Sequence, residues 1–108
     1  MAIKEDNTAM TCELNAMMPN PRTMGAQEIR CRFGAYLRYV REQKRLSGSE
    51  LAKRLNVSQQ QVSRYENGVT TVNLLMMSKM VHALDLRWDE LIHQVIHAES
   101  PIWMSYHR

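Results

Sequence analysis

No apolar run in this 108-residue sequence is long enough to cross a membrane. The apolar stretch at residues 74–86 is interrupted by Ser78, Lys79, His82 and Asp85, whereas a spanning helix needs about 20 predominantly apolar residues. We therefore expect no membrane partner. The length allows one domain with one modest core, plus flexible ends.

Cysteine is scarce, with Cys12 and Cys31 as the only two examples. They could form one disulfide, but residues 1–10 lack the apolar stretch of a secretory signal. We therefore expect a cytoplasmic protein in which both thiols are reduced. Neither cysteine lies in a CxxC pair, so the cysteines give no support for a structural metal site.

Catalytic and metal-binding groupings are also missing from the sequence. His93 and His97 have the four-residue spacing of a helical metal pair, but no third ligand is evident and no glutamate follows His93. No Ser/His/Asp grouping or glycine-rich phosphate loop occurs. We expect a protein that is not an enzyme, uses no cofactor or metal, and has no evident small-molecule ligand.

Positive charge is concentrated in the middle of the chain. The net charge is −2 over residues 1–21, +7 over residues 22–64 and −2 over residues 65–108, which gives the formal total of +3. Such a concentration is what a polyanion-binding surface requires, although a solvated helix face would explain the charge alone equally well.

Proline and glycine are few (3 and 4), and two prolines and one glycine fall in PNPRTMG, before a series of helical patterns. Residues 27–45 carry an apolar stripe at helical spacing. Ser47 and Glu50 have the spacing of a capping box, which starts a helix over residues 49–55. Ser58 and Gln61 predict a second start, for a helix over residues 59–67 that Asn67-Gly68 ends. About three residues join these two short helices, which is the spacing of a helix-turn-helix.

Two more helices are predicted downstream, one over Leu74–Leu84 behind an Asn73 cap and one that starts near Trp88. The expected core residues of these helices are Leu74, Met77, Met80, Val81, Leu84, Trp88, Leu91, Ile92 and Val95. Five helices without a strand candidate predict an all-α fold, a compact five-helix bundle that contains a helix-turn-helix. The predicted organisation is a flexible arm (1–25), a helix-turn-helix domain (26–97) and a tail (98–108).

Residues 37–68 (LRYVREQKRLSGSELAKRLNVSQQQVSRYENG) and 74–92 (LLMMSKMVHALDLRWDELI) resemble the Cro/cI-type (XRE-family) helix-turn-helix domain of bacterial and phage transcription regulators. The likeness covers about residues 30–95 and includes the landmarks ELA, VSQxxVSRxENG and ALxxxxDEL. Less closely, the string from Ser58 to Glu66 resembles regulators of enterobacterial fimbrial operons (the MrpJ type). These relatives imply double-stranded DNA as partner, and the fimbrial subgroup implies control of fimbrial and motility genes.

The resemblance implies a role for each residue of the site. The glutamine amide suits the edge of adenine and arginine suits that of guanine, and the matching base-contact positions are Gln59, Gln60, Ser63 and Arg64. The expected phosphate contacts are Ser49, Lys53, Arg54, Ser58 and Gln61. Arg41 and Glu66 match an ion pair that joins the first helix to the recognition helix. The chain departs from the family at Gly48, where glutamine is usual, and after Gly68, where VTTVN replaces a basic residue and proline.

A homodimer is expected, because one recognition helix covers too few base pairs for specificity. Its expected interface comprises apolar residues near the C-terminus: Ile96, Ile102, Trp103, Met104 and Tyr106. The alternative function is an antitoxin-type module that binds a protein through its arm or tail and also regulates its own operon.

Overall fold

The computed structural model describes residues 25–99 and residue 101. Within them the regular structure is entirely helical, which confirms the predicted all-α class. The helices are α1 (Ala26–Gln43), α2 (Gly48–Leu55), α3 (Gln59–Glu66), α4 (Leu74–Leu84) and α5 (Trp88–Ile92). The last of these continues as a π-helical turn over His93–His97.

Short polar caps begin the middle helices, as their spacing predicts. Ser47 and Glu50 form a reciprocal capping box at the start of α2. At α3 and α4, the side chains of Ser58 and Asn73 each accept a hydrogen bond from the backbone amide three residues later. α3 ends at a turn in which Gly68 has a φ of 70°, a conformation that glycine adopts without steric cost.

The core lies where α1 to α5 meet. Its members are buried apolar residues from all five helices and the π-helical turn: Phe33, Tyr36, Leu37, Val40, Leu51, Ala52, Leu55, Val62, Tyr65, Met80, Val81, Leu84, Leu91 and Val95. α2 and α3 pack closely on each other, and α3 also packs on α1. The helix-turn-helix is therefore held against the long first helix.

Three residues that were expected in the core are instead exposed, so that part of the prediction is wrong. Leu74 is 73 % exposed, and Trp88 and Ile92 are each 41 % exposed. Leu74 is the first residue of α4, nearly two turns before Met80, where the helix reaches the core. On α5, Leu91 faces the core, whereas Trp88 and Ile92 lie at the edges of the buried face.

A buried arginine joins α1 to the C-terminal side of the described chain. Arg32 is fully buried, and its Nε and Nη2 donate hydrogen bonds to the carbonyl oxygens of Val95 (2.5 Å) and Ala98 (2.8 Å). Burial lowers the pKa of the Arg32 guanidinium, and the nearby Glu28 carboxylate opposes this effect. The guanidinium satisfies carbonyl groups that the end of a helix leaves unpaired, so Arg32 fixes the π-helical turn to α1.

The expectation of reduced thiols is wrong for Cys31. This residue is buried on α1 and is disulfide-bonded. No free cysteine occurs among the described residues. The other cysteine of the sequence, Cys12, lies outside them.

In the part of the chain that the structure describes, no helix combines the length and apolar character needed to cross a membrane. The same part has no group of three or more histidine, cysteine or acidic side chains that could hold a metal ion. His93 and His97 are both exposed on the π-helical turn.

Candidate nucleic-acid interface

The outer face of α3 carries the side chains that were predicted to read bases. Val62 and Tyr65 are buried on the inner face. Gln59, Gln60 and Ser63 are exposed on the other side of the helix. Positions 59 and 63, one turn apart, share a face, as do positions 60 and 64.

Arg64, the fourth predicted base contact, is half-buried. Its backbone carbonyl accepts a hydrogen bond from the amide of Val69 in the loop that follows α3. Asn67 donates a hydrogen bond from Nδ2 to the hydroxyl oxygen of Ser63 at 3.4 Å. The exposed surface of α3 is therefore composed mainly of amide and hydroxyl groups, which both donate and accept hydrogen bonds.

The N-terminus of α3 is already partly satisfied from within the chain. The hydroxyl oxygen of Ser58 accepts a hydrogen bond from the Gln61 backbone amide at 3.0 Å. Ser58 is exposed and Gln61 half-buried. Both were predicted to contact phosphate, and the structure gives Ser58 a capping role in the free protein.

The start of α2 lies beside the start of α3. A Cβ on Gly48 would lie 3.8 Å from Cγ of Gln59, which is ordinary van der Waals contact. Ser49 is exposed next to it. In the cap of α2, hydrogen bonds from the backbone and side chain of Ser47 lower the pKa of the Glu50 carboxyl. The two adjacent helix N-termini direct their positive dipole ends to one region of the surface.

The two predicted phosphate contacts on the later part of α2, Lys53 and Arg54, lie in different environments. Lys53 is exposed. Arg54 is also exposed, but its Nη1 donates a hydrogen bond to the Ala83 carbonyl oxygen of α4 at 3.1 Å. Lys53 is thus the better placed of the two for a phosphate.

The C-terminal turn of α3 is held on α1 by an ion pair. Nε of Arg41 lies 2.6 Å from Oε2 of Glu66, and Nη2 lies 3.2 Å from Oε1, so the contact is bidentate. The Arg41 and Glu66 side chains are 11 % and 8 % exposed. Arg41 also donates from Nη1 to the carbonyl oxygen of Leu46, and so connects the end of α1 with α3.

Two further contacts, one between α1 and the turn that follows α3 and one between α1 and α3, had not been predicted from the sequence. Arg30 donates a hydrogen bond from Nε to the Gly68 carbonyl oxygen at 3.2 Å. At Gly34, a Cβ would lie 2.4 Å from the carbonyl oxygen of Tyr65 and 2.5 Å from that of Glu66. Glycine therefore lets the two helix backbones approach closely. The sequence signal for this close approach was a glycine between basic residues at helical spacing. That signal is weak.

The fold directs several basic residues inward and so reduces the positive surface that the sequence suggests. Arg32 is fully buried, Arg41 is paired with Glu66, and Arg30 is bonded to the end of α3. At the end of α1, Lys44 and Arg45 remain exposed. Lys53 and Arg54, within α2, are exposed as well. These four residues are the exposed basic positions within the helix-turn-helix or next to it in the sequence.

The predicted dimer residues fall mostly outside the described residues. Ile96 is partly buried against the chain's own core, and Pro101 is buried as well. The remaining predicted positions are Ile102, Trp103, Met104 and Tyr106. In the described part of the tail, Ala98 accepts a hydrogen bond from Arg32 and Pro101 is buried, whereas Glu99 is exposed.

Comparison with known proteins agrees with this geometry. A family model described as a helix-turn-helix matches residues 37–91, which is about half of the chain. The matched segment runs from the second half of α1 to α5 and includes both helices of the predicted motif. Comparisons with curated proteins and with solved structures each gave no match.

Proposed function

Since the chain belongs to the Cro/cI-type helix-turn-helix family of DNA-binding regulators, we propose that it is a sequence-specific transcription regulator that reads DNA with the outer face of α3. One observation supports this most directly. α3 is buried through Val62 and Tyr65 and held at its end by Glu66, while Gln59 and Gln60 remain exposed at its start. A rigid helix with an exposed polar face is the element that enters a major groove.

Base reading in this proposal rests on the chemistry of the exposed groups. The side-chain amide of glutamine donates and accepts in one plane, which matches N6 and N7 of adenine. Gln59 and Gln60 supply two such groups in the first turn of α3. Ser63 and Arg64 add a hydroxyl and a guanidinium one turn further on, and Arg64 suits O6 and N7 of guanine.

Phosphate binding in this proposal surrounds the same helix. Gly48, the first residue of α2, lies beside Gln59, and Ser49 follows it. Lys53, Arg54, Ser58 and Gln61 complete the candidate set. These contacts position the protein on DNA without reading sequence. Such a regulator acts where its DNA is, so a cytoplasmic location belongs to the proposal.

Selection of bound sequences from a random DNA library tests the proposal. Enrichment of a defined motif with two related halves is expected. Binding that depends on salt but selects no motif would contradict sequence-specific regulation. Genome-wide binding would then show whether the bound sites precede fimbrial and motility genes, the finer assignment that the Ser58–Glu66 string suggests.

Gln59→Ala and Gln60→Ala are each expected to weaken binding to the selected motif by roughly 1–3 kcal/mol, the usual discrimination of a bidentate base contact. Binding to unrelated DNA should change little, because these side chains do not contact phosphate. Lys53→Ala is the control, since it should weaken binding to all sequences and flatten the salt dependence. Fluorescence titrations with both DNAs at several salt concentrations measure the difference. Equal behaviour of the three variants would contradict the division into reading and positioning residues.

Gly48→Gln is expected to raise the affinity for DNA about threefold to tenfold, equivalent to one added hydrogen bond to a phosphate. Relatives usually carry glutamine here, and the space beside Gln59 accepts a side chain, because the nearest atom lies 3.8 Å from the Cβ position. The gain should be similar for the selected motif and for unrelated DNA. Gly48→Ala provides the control, because it adds the Cβ without the amide. An equal gain in the alanine variant would show that helix stability, not a phosphate contact, is responsible.

We further propose that two copies bind together on the DNA. Helix-turn-helix proteins place two recognition helices about 34 Å apart on a two-fold site, because one helix covers few base pairs. The tail residues Ile102, Trp103, Met104 and Tyr106 remain a predicted dimer contact outside the described residues.

A further inference from the structure

Residues 67–78 (NGVTTVNLLMMS), which we name the uncharged segment, contain no acidic, basic or histidine residue. They follow α3 directly. The amides of Gly68 and Val69 donate hydrogen bonds to the carbonyl oxygens of Tyr65 and Arg64, so the segment starts on the recognition helix itself. It ends in the first turns of α4.

The uncharged segment also carries the most exposed large apolar side chains in the described part of the chain. Leu74 is 73 % exposed and Leu75 is 69 % exposed, compared with 41 % for Trp88 and Ile92. Two adjacent leucines that are more than two-thirds exposed gain little from the fold itself. Adjacent exposed apolar side chains of this kind are typical of a contact surface.

DNA is a poor partner for the side chains of Leu74 and Leu75. Phosphate contacts come from cationic side chains, hydroxyl and amide groups or helix N-termini. The uncharged segment has such groups at Thr70, Thr71 and Asn73 and in the first turn of α4, but the two leucine side chains have none. A second copy of the chain is a better partner. In a two-fold contact the same patch lies on both sides, so a charge close to the two-fold axis would face its own like charge. A patch without charge avoids this repulsion.

The dimensions of the domain are close to the distance that separates two recognition helices on DNA. The domain measures 36 × 33 × 26 Å. Two copies whose recognition helices lie about 34 Å apart are therefore large enough to meet near the two-fold axis between them. The segment that leaves the end of α3 is a natural candidate for that meeting point.

We infer that the exposed leucines of the uncharged segment, Leu74 and Leu75, form the contact between two copies of this chain when both are bound to DNA. The inference rests on the proposed function and adds to it the surface through which the copies cooperate. Two leucines per copy bury far less than the roughly 800 Å² per partner of a standard interface. The contact is thus too small to hold a dimer in solution, and it acts as a coupling between neighbouring half-sites.

Charge substitutions at Leu75 test the inference. The DNA carries either one selected half-site or two half-sites about one helical turn apart, and titrations of the full chain give the cooperativity. Wild-type protein should bind the double site with a coupling of roughly 5- to 150-fold, the usual range between linked sites. Inserting half a helical turn between the half-sites should remove it.

Leu75→Lys and Leu75→Glu should each reduce this coupling to about onefold, because either change brings two like charges together in a contact that lies at the two-fold axis. A mixture of the two variants should recover much of the coupling, because the lysine of one copy then faces the glutamate of the other. Ile92→Lys and Ile92→Glu, at an exposed apolar position outside the uncharged segment, are the matched controls and should retain wild-type coupling.

Several results would overturn the inference while leaving the proposed function intact. If lysine strengthens and glutamate weakens binding to the single half-site, Leu75 faces DNA instead. If both variants lower the Tm of the free protein, the chain itself covers the leucines. If wild-type coupling survives both substitutions but is lost when the chain ends at Glu99, the tail carries the contact. Failure of the wild-type chain to select any DNA motif would instead overturn the proposed function, and the inference with it.

Discussion

Gly34→Ala is expected to destabilise the domain by about 1–3 kcal/mol, the usual cost of forcing an atom into a well-packed site. The added Cβ would lie 2.4 and 2.5 Å from two carbonyl oxygens of the α3 backbone, so α1 and α3 would have to separate. Alanine favours a helix over glycine by up to ~1 kcal/mol, and the clash must exceed this gain. Thermal unfolding measures the result, since 1 kcal/mol changes Tm by roughly 4–8 °C in a domain of this size.

Gly48→Ala is the matched control for this prediction. It is also a glycine-to-alanine change in a helix, but its Cβ would have its nearest neighbour at 3.8 Å. It should leave stability unchanged or raise it, because only the helix preference acts. Equal effects of the two substitutions would show that α1 and α3 are not in close backbone contact.

Gly34→Ala should also change DNA recognition at temperatures where the variant stays folded. Separating α1 from the end of α3 alters the angle at which Gln59 and Gln60 are presented. Affinity for the selected motif should therefore fall more than affinity for unrelated DNA, which depends on phosphate contacts. A parallel loss for both DNAs would indicate that Gly34 affects stability alone.

Glu66→Ala is expected to lower both Tm and affinity for the selected motif. Removing one partner of a buried ion pair costs about 3–5 kcal/mol, because the other charge is left without compensation. Arg41 keeps its hydrogen bond to Leu46 and lies 3.7 Å from Glu42, so we expect about 3 kcal/mol, at the lower end of that range. Chemical denaturation and DNA titration measure the two effects.

The double variant Arg41→Met with Glu66→Leu separates stability from orientation. Apolar replacement of both partners usually restores stability, since neither charge then remains buried. Affinity for the selected motif should stay reduced, because apolar packing does not fix the angle of α3 as a bidentate ion pair does. Full affinity in the double variant would show that the pair contributes only stability, and unchanged Tm and affinity in Glu66→Ala would remove its role altogether.

Local patterns in the sequence were sufficient for the first four helices and, within about two residues, for their limits, but they did not predict the π-helical turn after α5. The Ser47–Glu50 box, the Ser58 and Asn73 caps and the Gly68 turn each depend on residues within one helical turn. Such signals need no knowledge of distant parts of the chain. The same locality explains why α4 has the predicted bounds, Leu74–Leu84, even though Leu74 lies on a different side from the one expected.

The sequence also determined which polar groups the outer face of α3 presents. Buried Val62 and Tyr65 fix the inner face, and helical geometry then places Gln59, Gln60 and Ser63 outside. This step requires only that the helix has one apolar side.

The tertiary structure alone decided how the basic residues are used and which apolar residues stay exposed. Arg32 resembles its surface neighbours in the sequence, but it is fully buried because the carbonyl oxygens of Val95 and Ala98 come to it from more than sixty residues away. Gly34 has meaning only because the backbone of α3 passes over it. Helical periodicity describes the faces of one helix, whereas the partner of each face depends on how the helices cross. For that reason the charge of the middle segment overstated the positive surface. The exposure of Leu74, which had been expected in the core, was visible only after the helices had been packed.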